Sequence, residues 1–279
     1  MRHTEDFFKG IRNTNIYYQF WLPEEKPKAI LLLVHGLVEH SGRYMNVVNH
    51  FVPRGFAVYG FDHIGHGKSE GKRAYIERFK DFTDTIKQYY DHIIHWQPNV
   101  PVIIFGHSMG GLITTNYVLD YQSELAAAVI SGPPLILPNA ISVYSGELIA
   151  KFIPWLGLLR INPDDISRDK AVVQAYIDDP LVNNNRISAG LLNEIIQGMK
   201  RVSSEVENIN LPMIIVHGGA DKLAEPEGSQ MLFDRASSQK KAIKIYDGLY
   251  HEVLNEPERE QVLKDIDQKL DEFLELSAE

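Results

Sequence analysis

The chain has 279 residues, 44% of them hydrophobic and 23% charged, which suits one folded domain with a sizeable core and excludes a disordered chain. A formal net charge of -9 with no basic face argues against nucleic acid as a partner, and the absence of cysteine excludes disulfides, a thiol nucleophile and thiolate metal sites. The N-terminus lacks an apolar core of signal-peptide length and no stretch approaches about 18 uncharged apolar residues, so a soluble cytoplasmic protein is expected.

In chain order, Asp6 to Leu22 holds Asn and Gly turn signals and the alternating Ile16-Tyr17-Tyr18-Gln19-Phe20, which predicts an antiparallel hairpin. The continuous apolar run Ala29 to Val34 reads as a strand buried on both faces and ends at His35-Gly36-Leu37. A helix over Tyr44 to Arg54 and a strand over Phe56 to Phe61 follow, then a glycine-dense loop from His63 to Gly71. That loop lacks both G-x-G-x-x-G and the phosphate-loop spacing, so it reads as a tight structural loop at the sheet's edge. His63 and His66 lack a carboxylate at a recognised metal-ligand spacing, and no metal is expected there. Phe79 to Trp96 carries apolar residues near helical spacing, and Val102 to Phe105 reads as the next strand.

That strand runs through Gly106-His107-Ser108-Met109-Gly110 into an apolar helix without a spacer. A serine at the apex of such a strand-turn-helix is held on a strained bend, its hydroxyl pushed clear of the sheet and the next backbone N–H at a helix N-terminus. After a strand at Ala126 to Ile130 the alternation stops. From Leu135 to about Asn210 only two helical stretches are expected, Ile141 to Leu159 and Ile187 to Lys200, the second with Ile187, Leu191, Ile195 and Met199 on one stripe. The alternation resumes with a strand at Pro212 to His217, a helix from Glu225 to Ser237, a strand at Ala242 to Tyr246 and a helix from Pro257 to Leu276. The expected architecture is an α/β core, residues 1–134 and 211–279, with a mostly parallel sheet flanked by helices and an all-helical insertion at 135–210.

A serine hydroxyl needs a base, usually a histidine oriented by a carboxylate. In a sheet of this type the acid precedes the histidine and both follow the serine. His217 and His251 are the histidines after Ser108; His217 comes too early for that order, while Asp221 lies between them in the turn after its strand. Ser108, Asp221 and His251 are therefore the expected nucleophile, acid and base, with Asp247 a rival acid more suited to forming a turn. Backbone N–H groups of Met109 and Leu37 are the expected oxyanion donors.

These segments resemble the α/β-hydrolase fold family and, within it, the monoacylglycerol lipases. The resemblance is carried by HGLVEHSGRY (35–44), FDHIGHGKSEG (61–71), GHSMGG (106–111), HGGADKL (217–223) and KIYDGLYHEVLNEP (244–257). It implies the same nucleophile, acid, base and oxyanion donors, makes 135–210 a cap over the site, and puts Glu39 and Arg43 near the glycerol end of the pocket, where a loop-stabilising ion pair is an equal reading. The chain has none of the cap and pocket cysteines of the animal members, so thiol sensitivity is not expected.

The expected activity is hydrolysis of monoacylglycerols to fatty acid and glycerol through an acyl-enzyme, with no cofactor, on a lipid ester substrate. The apolar cap is expected to favour medium or long acyl chains and to dock transiently on a membrane surface, with Glu147 and Lys151 interrupting its apolar run. A lysophospholipase or broad carboxylesterase would use the same residues, and a non-catalytic ligand-binding protein on the same scaffold is the reading from another class.

Overall fold

The computed structural model describes residues 1–183 and 186–275. The hairpin expected within Asp6 to Leu22 is present and begins earlier: β1 (Arg2–Lys9) pairs antiparallel with β2 (Asn15–Leu22). Next come β3 (Ala29–Val34), α1 (Met45–Phe51), β4 (Phe56–Phe61), α2 (Lys80–Trp96), β5 (Val102–His107), α3 (Met109–Tyr121) and β6 (Ala127–Ser131). After the insertion the chain returns to the sheet, and the order across it is β1-β2-β4-β3-β5-β6, then Met213–Gly218, then Lys241–Tyr246. All pairings from β4 across to the last strand are parallel.

The apolar runs are buried on both faces because helices cover both. Alternate residues of β3 divide between them: Ile30, Leu32 and Val34 pack towards α2 and α3, while Ala29, Leu31 and Leu33 pack towards α1 and the C-terminal helix. The helix expected over Tyr44 to Arg54 is α regular only over α1, with tight turns at Ser41–Tyr44 and Val52–Arg54, where Pro53 and Gly55 (φ +88°) end it. The glycine-dense loop is not at an edge of the sheet, because β4 lies between β2 and β3. Asp62, which enters the loop from β4, accepts from Ser41 N at 2.9 Å and Lys68 N at 2.8 Å, tying that loop to the one after β3.

The insertion is not all helical. It contains α4 (Ala140–Phe152), β7 (Gly157–Leu159), α5 (Lys170–Asp178), β8 (Ile187–Ser188) and α6 (Ala189–Glu205), with β7 and β8 forming a small antiparallel pair. Pro154 excludes a continuous helix to Leu159. Ile187 is a fully buried strand residue opposite Leu159, and the helix starts after it because Ser188 Oγ accepts from Leu191 N at 3.2 Å. The rest of the stripe, Leu191, Ile195 and Met199, is buried along α6 as its spacing requires.

Beyond it lie β9 (Met213–Gly218), α7 (Pro226–Arg235), β10 (Lys241–Tyr246) and α8 (Arg259–Glu275); Leu276, where the last helix was expected to end, lies outside the described residues. The insertion is fastened to the core on two sides. Ile166 O accepts from Glu252 N at 2.8 Å and Arg168 pairs with the buried Glu256; opposite, His40 meets Asp179 at 2.9 Å and Val38 O accepts from Asn183 N at 2.9 Å. Among the described residues no helix is long and apolar enough to cross a membrane.

Candidate active site

β3 and β5 are neighbours, with Val34 opposite Gly106, so the loops leaving their carboxyl ends lie side by side where the strand order reverses. In open α/β sheets this crevice is where ligands bind. Ser108 follows β5 with φ 56° and ψ -125°, a strained conformation for an L-residue that throws the chain abruptly into α3. The bend requires glycine on either side. A Cβ on Gly110 would lie 2.0 Å from Val34 O, and one on Gly106 2.2 Å from Thr114 Oγ1.

The strand order then brings in groups distant in sequence. Ser108 Oγ lies 2.8 Å from His251 Nε2, and His251 Nδ1 lies 2.6 Å from Asp221 Oδ2. Asp221, in the turn after β9, is fixed through Oδ1, which accepts from Leu223 N at 2.8 Å and Ala224 N at 3.1 Å. The carboxylate that meets His251 is thus Asp221 and not Asp247. Burial alone pushes the Asp221 carboxyl up, but its bonds to His217 and His251 outweigh this and hold it well below the usual carboxylate range. For His251, burial pulls the imidazole down, yet the bond to Asp221 and the charges of Asp221 and Glu252 leave it raised. A base whose cation is stabilised by a buried carboxylate is what proton transfer from a serine asks for.

Among the described residues His217 makes no hydrogen bond to Ser108. Its Nε2 lies 3.0 Å from Asp221 Oδ2, so Asp221 has a second imidazole partner. The sequence showed only that His217 came too early to be the base; the i, i+4 spacing to Asp221 across the end of β9 was the available signal.

The loop after β3 comes against the serine, where a Cβ on Gly36 would lie 3.2 Å from Ser108 Cβ. Among the described residues neither Leu37 N nor Met109 N has an acceptor, so two donors stand open beside Ser108, one at the N-terminus of α3. Glu39 shapes this loop: its Oε1 accepts from Gly36 N at 2.6 Å and Tyr44 OH at 2.7 Å, and its Oε2 from Arg43 Nη1 at 2.9 Å. Arg43 also forks onto Glu252, at 2.6 and 3.0 Å. Burial drives the Glu39 carboxyl up; it does the same to Glu252, but there the Arg43 charge prevails and the group is lowered. Glu39 and Arg43 are therefore both a buried ion pair and part of a cavity wall.

That cavity, of about 20 Å³, is lined by Ser108, His251, Leu37, Glu39, Arg43 and Glu252 from the core, and by Ile161, Ile166 and Tyr176 from the insertion. Among the described residues no His, Cys, Asp and Glu cluster is arranged to hold a metal ion. A serine on a strained strand-to-helix bend, bonded to a histidine that a carboxylate orients, defines a serine hydrolase of the α/β-hydrolase fold.

The chain belongs to the Hydrolase_4 family (serine aminopeptidase, S33), whose profile matches residues 25–258. It is 35% identical over 266 residues to the monoacylglycerol lipase of Mycolicibacterium smegmatis, covering 94% of this chain and 95% of that protein. The human monoglyceride lipase is 32% identical over 241 residues, covering 85% of this chain and 79% of that one. The crystal structure of Paleococcus ferrophilus monoacylglycerol lipase superposes with a TM-score of 0.81 at 31% identity, over 93% of this chain and 98% of that one.

Proposed function

We propose that this protein hydrolyses monoacylglycerols through an acyl-enzyme on Ser108. The observation that carries the reading is the continuous bond series from Asp221 through His251 to Ser108, ending beside the open N–H groups of Leu37 and Met109. In this mechanism His251 Nε2 takes the Ser108 proton as Oγ attacks the ester carbonyl, and the oxyanion that forms is held by Leu37 N–H and Met109 N–H. His251 then returns the proton to the departing alcohol. Water activated by the same imidazole releases the fatty acid. Asp221 holds His251 in the Nδ1–H tautomer and stabilises the imidazolium.

The polar wall favours an uncharged alcohol. Arg43 is the cation there, and its guanidinium is already bound by Glu39 and Glu252. Among the described lining residues a phosphorylated head group would meet two carboxylates and no lysine or arginine without a carboxylate partner, whereas glycerol hydroxyls suit carboxylate and guanidinium edges. Fatty acid release from matched monoacylglycerol, diacylglycerol and lysophosphatidylcholine, with Ser108→Ala as the blank, tests this: preference for the monoacylglycerol is expected, and preference for the lysophospholipid would move the substrate class.

The 135–210 segment acts in this reading as a cap. The space beneath it is smaller than the roughly 300 to 1,000 Å³ of sites for drug-sized ligands, so a long acyl chain requires the cap to shift. Its outer side carries Tyr144, Leu148 and Phe152 at i, i+4, i+8, followed by Trp155; Tyr144, Phe152 and Trp155 are 65–71% exposed. Of the two charges expected to interrupt this run, Glu147 pairs with Lys200 on α6 at 2.5 Å and Lys151 is exposed. The stripe supports transient docking on a lipid surface. Phe152→Ser with Trp155→Ser is expected to lower partitioning onto phosphatidylcholine vesicles roughly tenfold, by removing two large apolar side chains, while turnover of a soluble p-nitrophenyl ester stays unchanged. Co-sedimentation with vesicles reads the first effect, and unaltered binding would reject the docking surface.

A further inference from the structure

We propose that His217 is a positioning residue of the hydrolytic site, giving Asp221 a second hydrogen bond that fixes its carboxylate and restrains its pull on His251. The inference rests on the roles of Ser108, His251 and Asp221 proposed above. The His217 ring is fully buried, so its protonation pattern is set by its neighbours alone. Nε2 faces two oxygens, Asp221 Oδ2 at 3.0 Å and Ala224 O at 3.1 Å. Neither oxygen carries a proton, so Nε2 must be the N–H that donates to both. In the neutral ring Nδ1, 2.7 Å from Ser229 Oγ, accepts from the serine hydroxyl. One neutral tautomer satisfies every contact of the ring.

The carboxylate is correspondingly saturated. Oδ1 accepts two backbone N–H groups, and Oδ2 accepts His251 Nδ1 and His217 Nε2. Four donors occupy about the four lone-pair sites of a carboxylate, which leaves it no rotation and no place for water. A carboxylate that shares Oδ2 between two imidazoles stabilises the His251 cation less than one that gives the oxygen to His251 alone. His217 thereby keeps His251 aligned while limiting how far its basicity rises. A base too easily protonated would be charged, and useless, over more of the working pH range.

The other charged and titratable groups facing this pair have partners of their own besides His217. Ser108 is bonded to His251, the His107 ring lies tilted against it with 4.9 Å between centroids, and Glu252, Arg43 and Glu39 lie behind. Lys222, next to Asp221, points outward to Asp165 at 3.5 Å.

The test is the pH dependence of kcat/KM for p-nitrophenyl butyrate in the wild type and in His217→Gln, His217→Asn and His217→Leu. Glutamine sets an amide N–H near the Nε2 position; asparagine reaches only the Nδ1 position and leucine donates nothing. In the leucine and asparagine variants kcat is expected to fall roughly tenfold, the scale of one lost hydrogen bond to a charged group. Their acid limb should move to higher pH by about half a unit, because Asp221 stabilises the imidazolium more strongly. Glutamine should restore both. A residue that only held α7 against β9 would lower the rate through stability without moving the acid limb, so an unmoved limb in the asparagine and leucine variants overturns the proposal, as does a glutamine variant that behaves like asparagine. Should the leucine variant fail to fold, the glutamine and asparagine pair decides. Turnover that persists in Ser108→Ala would instead overturn the underlying assignment of the nucleophile.

Discussion

Ser108→Ala is expected to lower kcat for monoacylglycerol hydrolysis by about a million-fold with the fold unchanged. The change removes the atom that forms the acyl bond and leaves His251 Nε2 without the hydroxyl now 2.8 Å away. What remains is the pair of open N–H groups, which polarise a carbonyl for attack by water and account for the residual rate. Alanine inherits the positive φ of the bend, so the backbone strain is the same before and after and the melting temperature should scarcely move. Fatty acid release and thermal unfolding measured on one preparation separate the two effects. A stable variant retaining a thousandth of the rate or more would mean that another group attacks the ester.

Stability is expected to fall as the pH is lowered from about 6.5 towards 4, before most carboxylates titrate. Four imidazoles are buried and held neutral: His35, His63, His66 and His107 all have pKa values lowered, chiefly by burial, His66 to about 4 and His107 to about 3. Above about 6.5 both folded and unfolded chains carry these rings neutral, and the contribution is complete. Below it the unfolded chain binds protons that the folded one refuses, so stability drains away until the folded values are reached. For His66 alone, a span from 6.5 to about 4 corresponds to on the order of 3 kcal/mol. His251, raised in the folded state, works in the opposite direction and offsets part of the loss. Urea unfolding from pH 8 to 5 measures the slope, and His63→Phe should flatten it. That ring is edge-on to Phe61 and Phe82, neither of its nitrogens has a partner among the described residues, and phenylalanine keeps the packing without the proton. A slope unchanged by the substitution would assign the acid sensitivity elsewhere.

What could be read from the sequence was what local pattern encodes. The buried strands are short apolar runs, the bend at Ser108 has its glycines, and the chain order of Asp221 and His251 follows from strand order. Contacts set by tertiary approach were hidden. Glu252 follows His251 in the chain, but its fork onto Arg43 joins residues far apart in sequence, and no pattern near either announces it. β7 and β8 have three and two residues, too few for a period to show, and Ile187 fitted a helical stripe as well as a strand. α5 was missed because its buried residues reduce to Val173 and Tyr176; the capping Asp169, which accepts from Ala171 N at 2.9 Å, was its one local mark.

Every group assigned to bond making comes from the ends of core strands, while Ile161, Ile166 and Tyr176 of the cap close the other wall of the cavity. Inheritance can therefore act on the two separately. In the proposed reading, substitutions between β6 and β9 would retune which acyl chains are admitted without disturbing proton transfer, provided that the two fastenings at Ile166–Arg168 and Asp179–Asn183 persist. An exchange of the stretch between them and the sheet among related proteins would carry substrate preference as a cassette, with the chemistry left behind in the recipient.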